Sequence, residues 1–209
     1  MTIYKPAQSS DDCTLIVYEI PFDVTLNGTS LIFGSGAGAA DYVGIRFTAV
    51  NIPQGSTITS AKITFRASSS ESGAMSALRI EGEDTDNALT FTTAAFGPGG
   101  YISRPRTTAY VNWTPGAWVN GSDYDSLDIS TIIKEIVDRP GWVSGNNIVL
   151  LIGPGGSNHR DCVSYDSSTV NCARLEIITT APGPTMDQIM KHGKWFNGGT
   201  FQGFWLGWR

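Results

Sequence analysis

The chain has 209 residues and a formal net charge of −5, with charged side chains at only 16% and glycine at 24 positions. That length suits one domain of about 180 residues with an ample core, plus an appendage. The low charge and turn-rich composition fit an all-β module better than a helical enzyme. The acidic balance excludes the basic stripe a nucleic-acid partner requires, and no apolar run reaches the roughly 20 residues that span a bilayer.

The opening stretch, MTIYKPAQSSDD, has no apolar core and no cleavage site, so it does not read as a signal peptide. Short strands bounded by Gly, Pro, Asn and Ser clusters follow, at residues 14–20, 30–33, 42–48, 60–67, 77–83, 109–112, 147–152, 162–166 and 174–179. Alternation is clearest in Ala61-Lys62-Ile63-Thr64-Phe65-Arg66, which puts apolar and polar side chains on opposite faces. Gly-Pro-Gly-Gly turns stand at 97–100 and 153–156. One helix interrupts the strands: Asp128 is a good N-cap, and Ile129, Ile132, Ile133, Ile136 and Val137 form an amphipathic stripe that Pro140-Gly141 stops. Nine strands and one crossover helix predict an all-β, two-sheet jelly-roll sandwich over residues 1–180.

Residues 181–185 are a Pro/Gly linker, and residues 186–209 form a tail of different character. Six aromatics crowd it, namely Trp195, Phe196, Phe201, Phe204, Trp205 and Trp208, and Asp187 is its only acid against Lys191, Lys194 and Arg209. Thr185 and Gln188 make a capping box for a short helix over 186–192, and Asn197-Gly198-Gly199 signals a hairpin turn. Large side chains gain about 1.5–3 kcal/mol each on full burial, and a lone hairpin is marginal in water. The tail is therefore expected to dock on a partner.

Chemistry-bearing motifs are sparse. Cys13, Cys162 and Cys172 are an odd number with no zinc spacing. A hairpin of 161–166 with 172–179 would leave Cys162 and Cys172 out of opposition, so buried free thiols are expected. Only two histidines are present, His159 and His192. His159, Asp161 and Cys162 are too close in sequence to supply a triad, whose members come from separate elements. Gly34-Ser35-Gly36-Ala37-Gly38 precedes a strand, not a helix, so it is no dinucleotide loop. No catalytic residue is expected.

Two binding features remain. Glu83, Asp84, Asp86 and Asn87, with Glu81 beside them, place oxygen ligands where a structural calcium ion would be held; the alternative is an exposed acidic turn. Trp113, Trp118 and Trp142 offer faces for stacking on a sugar ring, against the alternative that they fill the core. No other cofactor is expected.

Several stretches carry a family resemblance: Ser10-Asp11-Asp12, Val43-Gly44-Ile45-Arg46-Phe47, Ile52-Pro53-Gln54-Gly55-Ser56-Thr57-Ile58, Ala61-Lys62-Ile63-Thr64-Phe65, Gly82-Glu83-Asp84-Thr85-Asp86-Asn87, Arg104-Pro105-Arg106-Thr107-Thr108, Val111-Asn112-Trp113, Arg139-Pro140-Gly141-Trp142, Ser144-Gly145-Asn146 and Ser164-Tyr165-Asp166. In that order, over roughly residues 10–180, they resemble a jelly-roll module, similar to carbohydrate-binding modules, of large secreted proteins of marine and environmental bacteria. The chain departs from that pattern where Ser157-Asn158-His159 lengthens a tight turn, and at Cys162 and Cys172, where small residues are usual. The tail resembles short His-Gly-Lys-aromatic C-termini of some bacteriophage structural proteins.

A secreted-looking body without a leader is what a bacterial-virus component would show, made in the host cytoplasm and working on the virion surface. The expectation is a non-enzymatic virion accessory protein, a capsid decoration, cement protein or head fibre. Its expected partners are capsid or other virion proteins, sister copies (a trimer in particular) and a cell-surface polysaccharide. The alternatives are a tail fibre or spike, a secreted adhesin module, and a glycan-cleaving enzyme.

Overall fold

A computed structural model describes residues 1–17, 22–35, 40–154 and 158–180. The tail, its linker, most of the Gly34–Gly38 loop and part of the second Gly-Pro-Gly-Gly turn lie outside the described residues. The elements run β1 (Thr2–Tyr4), β2 (Asp12–Val17), β3 (Asp23–Thr25), β4 (Ser30–Ser35), β5 (Ala40–Phe47), β6 (Thr57–Arg66), β7 (Leu78–Glu83), β8 (Arg106–Trp113), β9 (Asp123–Asp125), α1 (Ser130–Val137), β10 (Ile148–Ile152), β11 (Asn158–Val163) and β12 (Arg174–Thr180). They form two antiparallel sheets, one of order β1-β12-β6-β9 and a larger one of order β11-β4-β5-β10-β7-β8, with β2 paired to β5 and β3 paired to β2.

The sheets face each other across one core. Ile63, Phe65, Leu175 and Ile177 of the smaller sheet belong to the same apolar cluster as Phe33, Val43, Ile45, Phe47, Leu78, Ile80 and Leu150 of the larger. The alternation in β6 is what puts Ile63 and Phe65 inward while Lys62 and Arg66 reach salt bridges outside. α1 contacts β6 in one sheet and β7 and β8 in the other, with Ile132, Ile133, Ile136 and Val137 buried. Its seat on β7 depends on Gly82, where a Cβ would stand 2.7 Å from Ile136 Cδ1 and 2.9 Å from Ile132 Cγ2.

The larger sheet is covered on its second face too. Cys13, Leu15, Val149 and Leu151 pack there with Ala88, Phe91 and Tyr101 from the long β7–β8 connection. This double cover explains the unbroken apolar run of β10, whose five residues are all buried. Two arginines fasten the covering segment. Arg104 pairs with Glu83, donates to the carbonyls of Leu89, Thr90 and Gly99, and lies 4.2 Å over the Phe91 ring. Arg46 joins Asp11 at 2.6 Å and the Ala88 carbonyl at 2.9 Å.

Three expectations are corrected. Residues 161–166 and 172–179 are not a hairpin: Cys162 pairs with Leu31 of β4, whereas β12 pairs with β6 and β1. The connection crosses from one sheet to the other through turns closed by Ser168 N–H to Ser164 O and Cys172 N–H to Ser168 O. The strand predicted at 162–166 lies earlier, at β11, because Ser164 turns the chain by donating to Gly28 O and accepting from Ser167 N–H. The helix starts at Ser130; Asp128 still serves its first turn, accepting from the Ser130 N–H and hydroxyl, and ties it to β6 through Ala61 N–H. All three cysteines are buried free thiols, as expected, and burial pushes Cys13 up to about 12.

Candidate functional site

The three tryptophans proposed for sugar stacking are core residues. Trp113, Trp118 and Trp142 are 5%, 2% and 3% exposed. Trp113 stacks on Phe65 with ring centroids 5.5 Å apart and planes at 13°, and Trp118 stacks on Tyr124 at 4.9 Å and 6°. Phe33 closes the group at 5.9 Å from Trp113 and 5.5 Å from Trp118. Trp142 packs in the same core, its Nε1–H donating to the Ile52 carbonyl at 2.9 Å. With their faces filled by protein, these rings are unavailable to a sugar.

In the acidic cluster, guanidinium groups pair with the carboxylates. Glu83 is buried against Arg104; burial pushes its carboxyl up while Arg104 pulls it down. Asp84 and Asp86 both pair with Arg139. Asn87 spends its side-chain oxygen on Asn147, accepting from its backbone N–H at 3.0 Å and its side-chain amide at 2.8 Å. Gly141 lies so close to Asp86 that a Cβ there would collide with the carboxylate. Glu83, Asp84 and Asp86 thus hold Arg104 and Arg139, fixing the β7–β8 connection and the segment after α1. The six tail aromatics lie outside the described residues.

A different group comes together at the open edge of the larger sheet. His159 and Asp161 stand two apart on edge strand β11. Beside them runs a Ser-rich segment, joined by an Ala67–Cys162 bridge and by Ser68 N–H to the Asp161 carbonyl at 3.0 Å. This segment covers an edge that would otherwise expose unpaired backbone. It carries Glu71, whose own backbone is clamped to Trp118 by hydrogen bonds of 2.9 and 2.7 Å. The result places His159 Nε2 3.3 Å from Glu71 Oε1 and 3.9 Å from Asp161 Oδ1. Ser69 Oγ donates to Glu71 Oε1 at 2.5 Å.

Arg160, between His159 and Asp161 on β11, faces the opposite, buried side and is only 1% exposed. Its guanidinium donates to the carbonyls of Gly116, His159 and Gly73 at 2.7–2.8 Å. Those bonds leave the carboxylates without a guanidinium contact. Among the described residues five buried side-chain polar atoms have no hydrogen-bond partner, and Glu71 Oε2 and Asp161 Oδ1 are two of them. Burial first, then the charge of Glu71, pushes the Asp161 carboxyl up, against the pull of His159 and of the Ser69 hydroxyl. In sequence, His159 and Asp161 form neither a triad nor any other recognisable catalytic spacing. Glu71, 88 residues before His159 in a run of serines, carries no signal in sequence.

A second buried acid stands at the start of β2. Asp12 is 1% exposed and accepts the Tyr165 N–H at 2.7 Å through Oδ2, while Oδ1 has no partner. Burial pushes its carboxyl up to about 7, reinforced by Asp166 and Asp11 and opposed by the Tyr165 N–H. Asp11, by contrast, is matched by Arg46 at 2.6 Å. Against known proteins, neither a family model nor a curated sequence matches this chain.

Proposed function

We propose that the chain is a non-enzymatic accessory protein of a bacteriophage virion, whose jelly-roll body is displayed outward and whose residues 186–209 hold it to the particle. One contrast carries this reading. The body packs Trp113, Trp118 and Trp142 internally, at 5% exposure or less. Residues 186–209 hold six further aromatics in the chain's densest aromatic stretch, with a basic balance in an acidic protein. Aromatic side chains are the usual anchors of a protein interface, and this distribution supports an anchoring role for the tail. β12 ends at Thr180, so the linker begins at the end of the four-stranded sheet.

A decoration or cement role on the head is preferred to a fibre or spike, because the sequence has no fibrous repeat or heptad pattern. Closed symmetry is the usual outcome when identical anchors associate, which makes a trimer the oligomer to look for. No observation favours the carbohydrate-binding reading now that its three tryptophans are packed inside. The test is a protein ending at Thr180, compared with the full chain in sedimentation with virions. The truncated body should fold and stay in the supernatant while the full chain pellets; co-sedimentation of the truncated body would overturn the anchor assignment.

A further inference from the structure

The geometry points to a binding site for one divalent transition-metal ion of the zinc class, held by His159, Asp161 and Glu71 at the edge of the larger sheet. The donor atoms of these three side chains lie within 4.8 Å of one another. A tetrahedral zinc ion with bonds of about 2.0–2.2 Å sets its donors about 3.3–3.5 Å apart. The 3.3 Å between His159 Nε2 and Glu71 Oε1 is already in that range, and the 3.9 Å to Asp161 Oδ1 closes with a small side-chain rotation.

Three further observations favour a metal over a plain ion pair. Glu71 Oε2 and Asp161 Oδ1 are buried oxygens without a hydrogen-bond partner of normal length, the kind of atom that is costly to leave unmatched and that a cation satisfies. Arg160, between His159 and Asp161 in sequence but on the opposite face of β11, is committed to three carbonyls and makes no ion pair with either carboxylate. The ligands also arrive pre-positioned: two on one strand, and the third on a segment clamped to Trp118, with Ser69 Oγ orienting the Glu71 carboxylate as outer partners of metal ligands do. An imidazole among the donors selects zinc or a neighbour such as cobalt over calcium, which takes oxygen ligands. His159 is 40% exposed at its side chain, so the fourth position opens to solvent. The ion ties the Ser-rich segment to β11, closing the sheet edge.

The experiment uses the full chain stripped with EDTA and titrated calorimetrically with zinc chloride, with calcium chloride in parallel and cobalt(II) absorption as a report of ligand geometry. The expected result is one zinc per chain, a raised melting temperature, a tetrahedral cobalt spectrum and no calcium response. His159→Ala, Glu71→Gln and Asp161→Asn should each weaken zinc binding by more than about 10-fold, with circular dichroism showing the fold retained. His192→Ala should leave it unchanged. Absence of zinc binding, binding indifferent to His159→Ala, or binding lost in His192→Ala would each overturn the assignment.

Discussion

Replacing Asp12 with Asn should make the protein more stable, and increasingly so as pH rises. Asp12 is held with Oδ2 on the Tyr165 N–H and Oδ1 without a partner, a setting that suits a neutral group. Burial moves its carboxyl from an ordinary 3.8 to about 7. Between those values the folded chain binds a proton at Asp12 that the unfolded chain has released, so stability falls as pH rises through this window and levels off above it. At 1.36 kcal/mol per unit, the loss amounts to about 2 kcal/mol by pH 5 and about 4 kcal/mol by pH 8. Asn keeps an acceptor for Tyr165 and never ionises, so it should escape the loss. Urea unfolding of both proteins at several pH values from 3 to 8 measures it, because the shared contributions of other groups cancel in the difference. A difference that stays flat across this range would show that Asp12 titrates alike in the folded and unfolded chain, and would refute the argument.

Other perturbations follow from packing and charge. Trp113→Ala should cost about 3–5 kcal/mol in chemical denaturation, as loss of a large core ring does, with no specific effect on any glycan binding. Arg104→Ala leaves Glu83 buried without its cation and should cost about 3–5 kcal/mol; Arg104→Met combined with Glu83→Gln should recover much of that. Gly82→Val drives a side chain into Ile132 and Ile136 and should cost about 1–3 kcal/mol in the same assay, with helix α1 displaced in a crystal structure.

The extent to which the sequence announced this molecule follows physical lines. Alternation located strands such as β6, which buries one face and so repeats with period two, while β10, covered on both faces, showed as an unbroken apolar run between turn residues. β1, β3 and β9 have three residues each, too few for any periodicity, and were missed. The pairing of 161–166 with 172–179 failed because a polar turn between two strands looks the same whether it closes a hairpin or carries the chain to the opposite sheet. The partners of the acidic cluster were hidden for a related reason. Asp84 and Asp86 meet Arg139 across more than fifty residues, and local spacing cannot show a partner that only the fold brings close. The same separation hid Glu71 from His159. The tryptophans were ambiguous in sequence, since one side chain serves a core and a sugar equally well, and only the arrangement of Phe33, Phe65 and Tyr124 around Trp113 and Trp118 assigns them to the interior.

The proposed role of residues 186–209 requires that they hold a protein on the virion by themselves. Fusing them to an unrelated soluble carrier and measuring its occupancy on purified virions tests this without the sandwich. Saturable binding of the fused carrier, displaced by the full chain and absent from the bare carrier, is the predicted result. A fused carrier that stays in solution while the full chain occupies its sites would contradict the account.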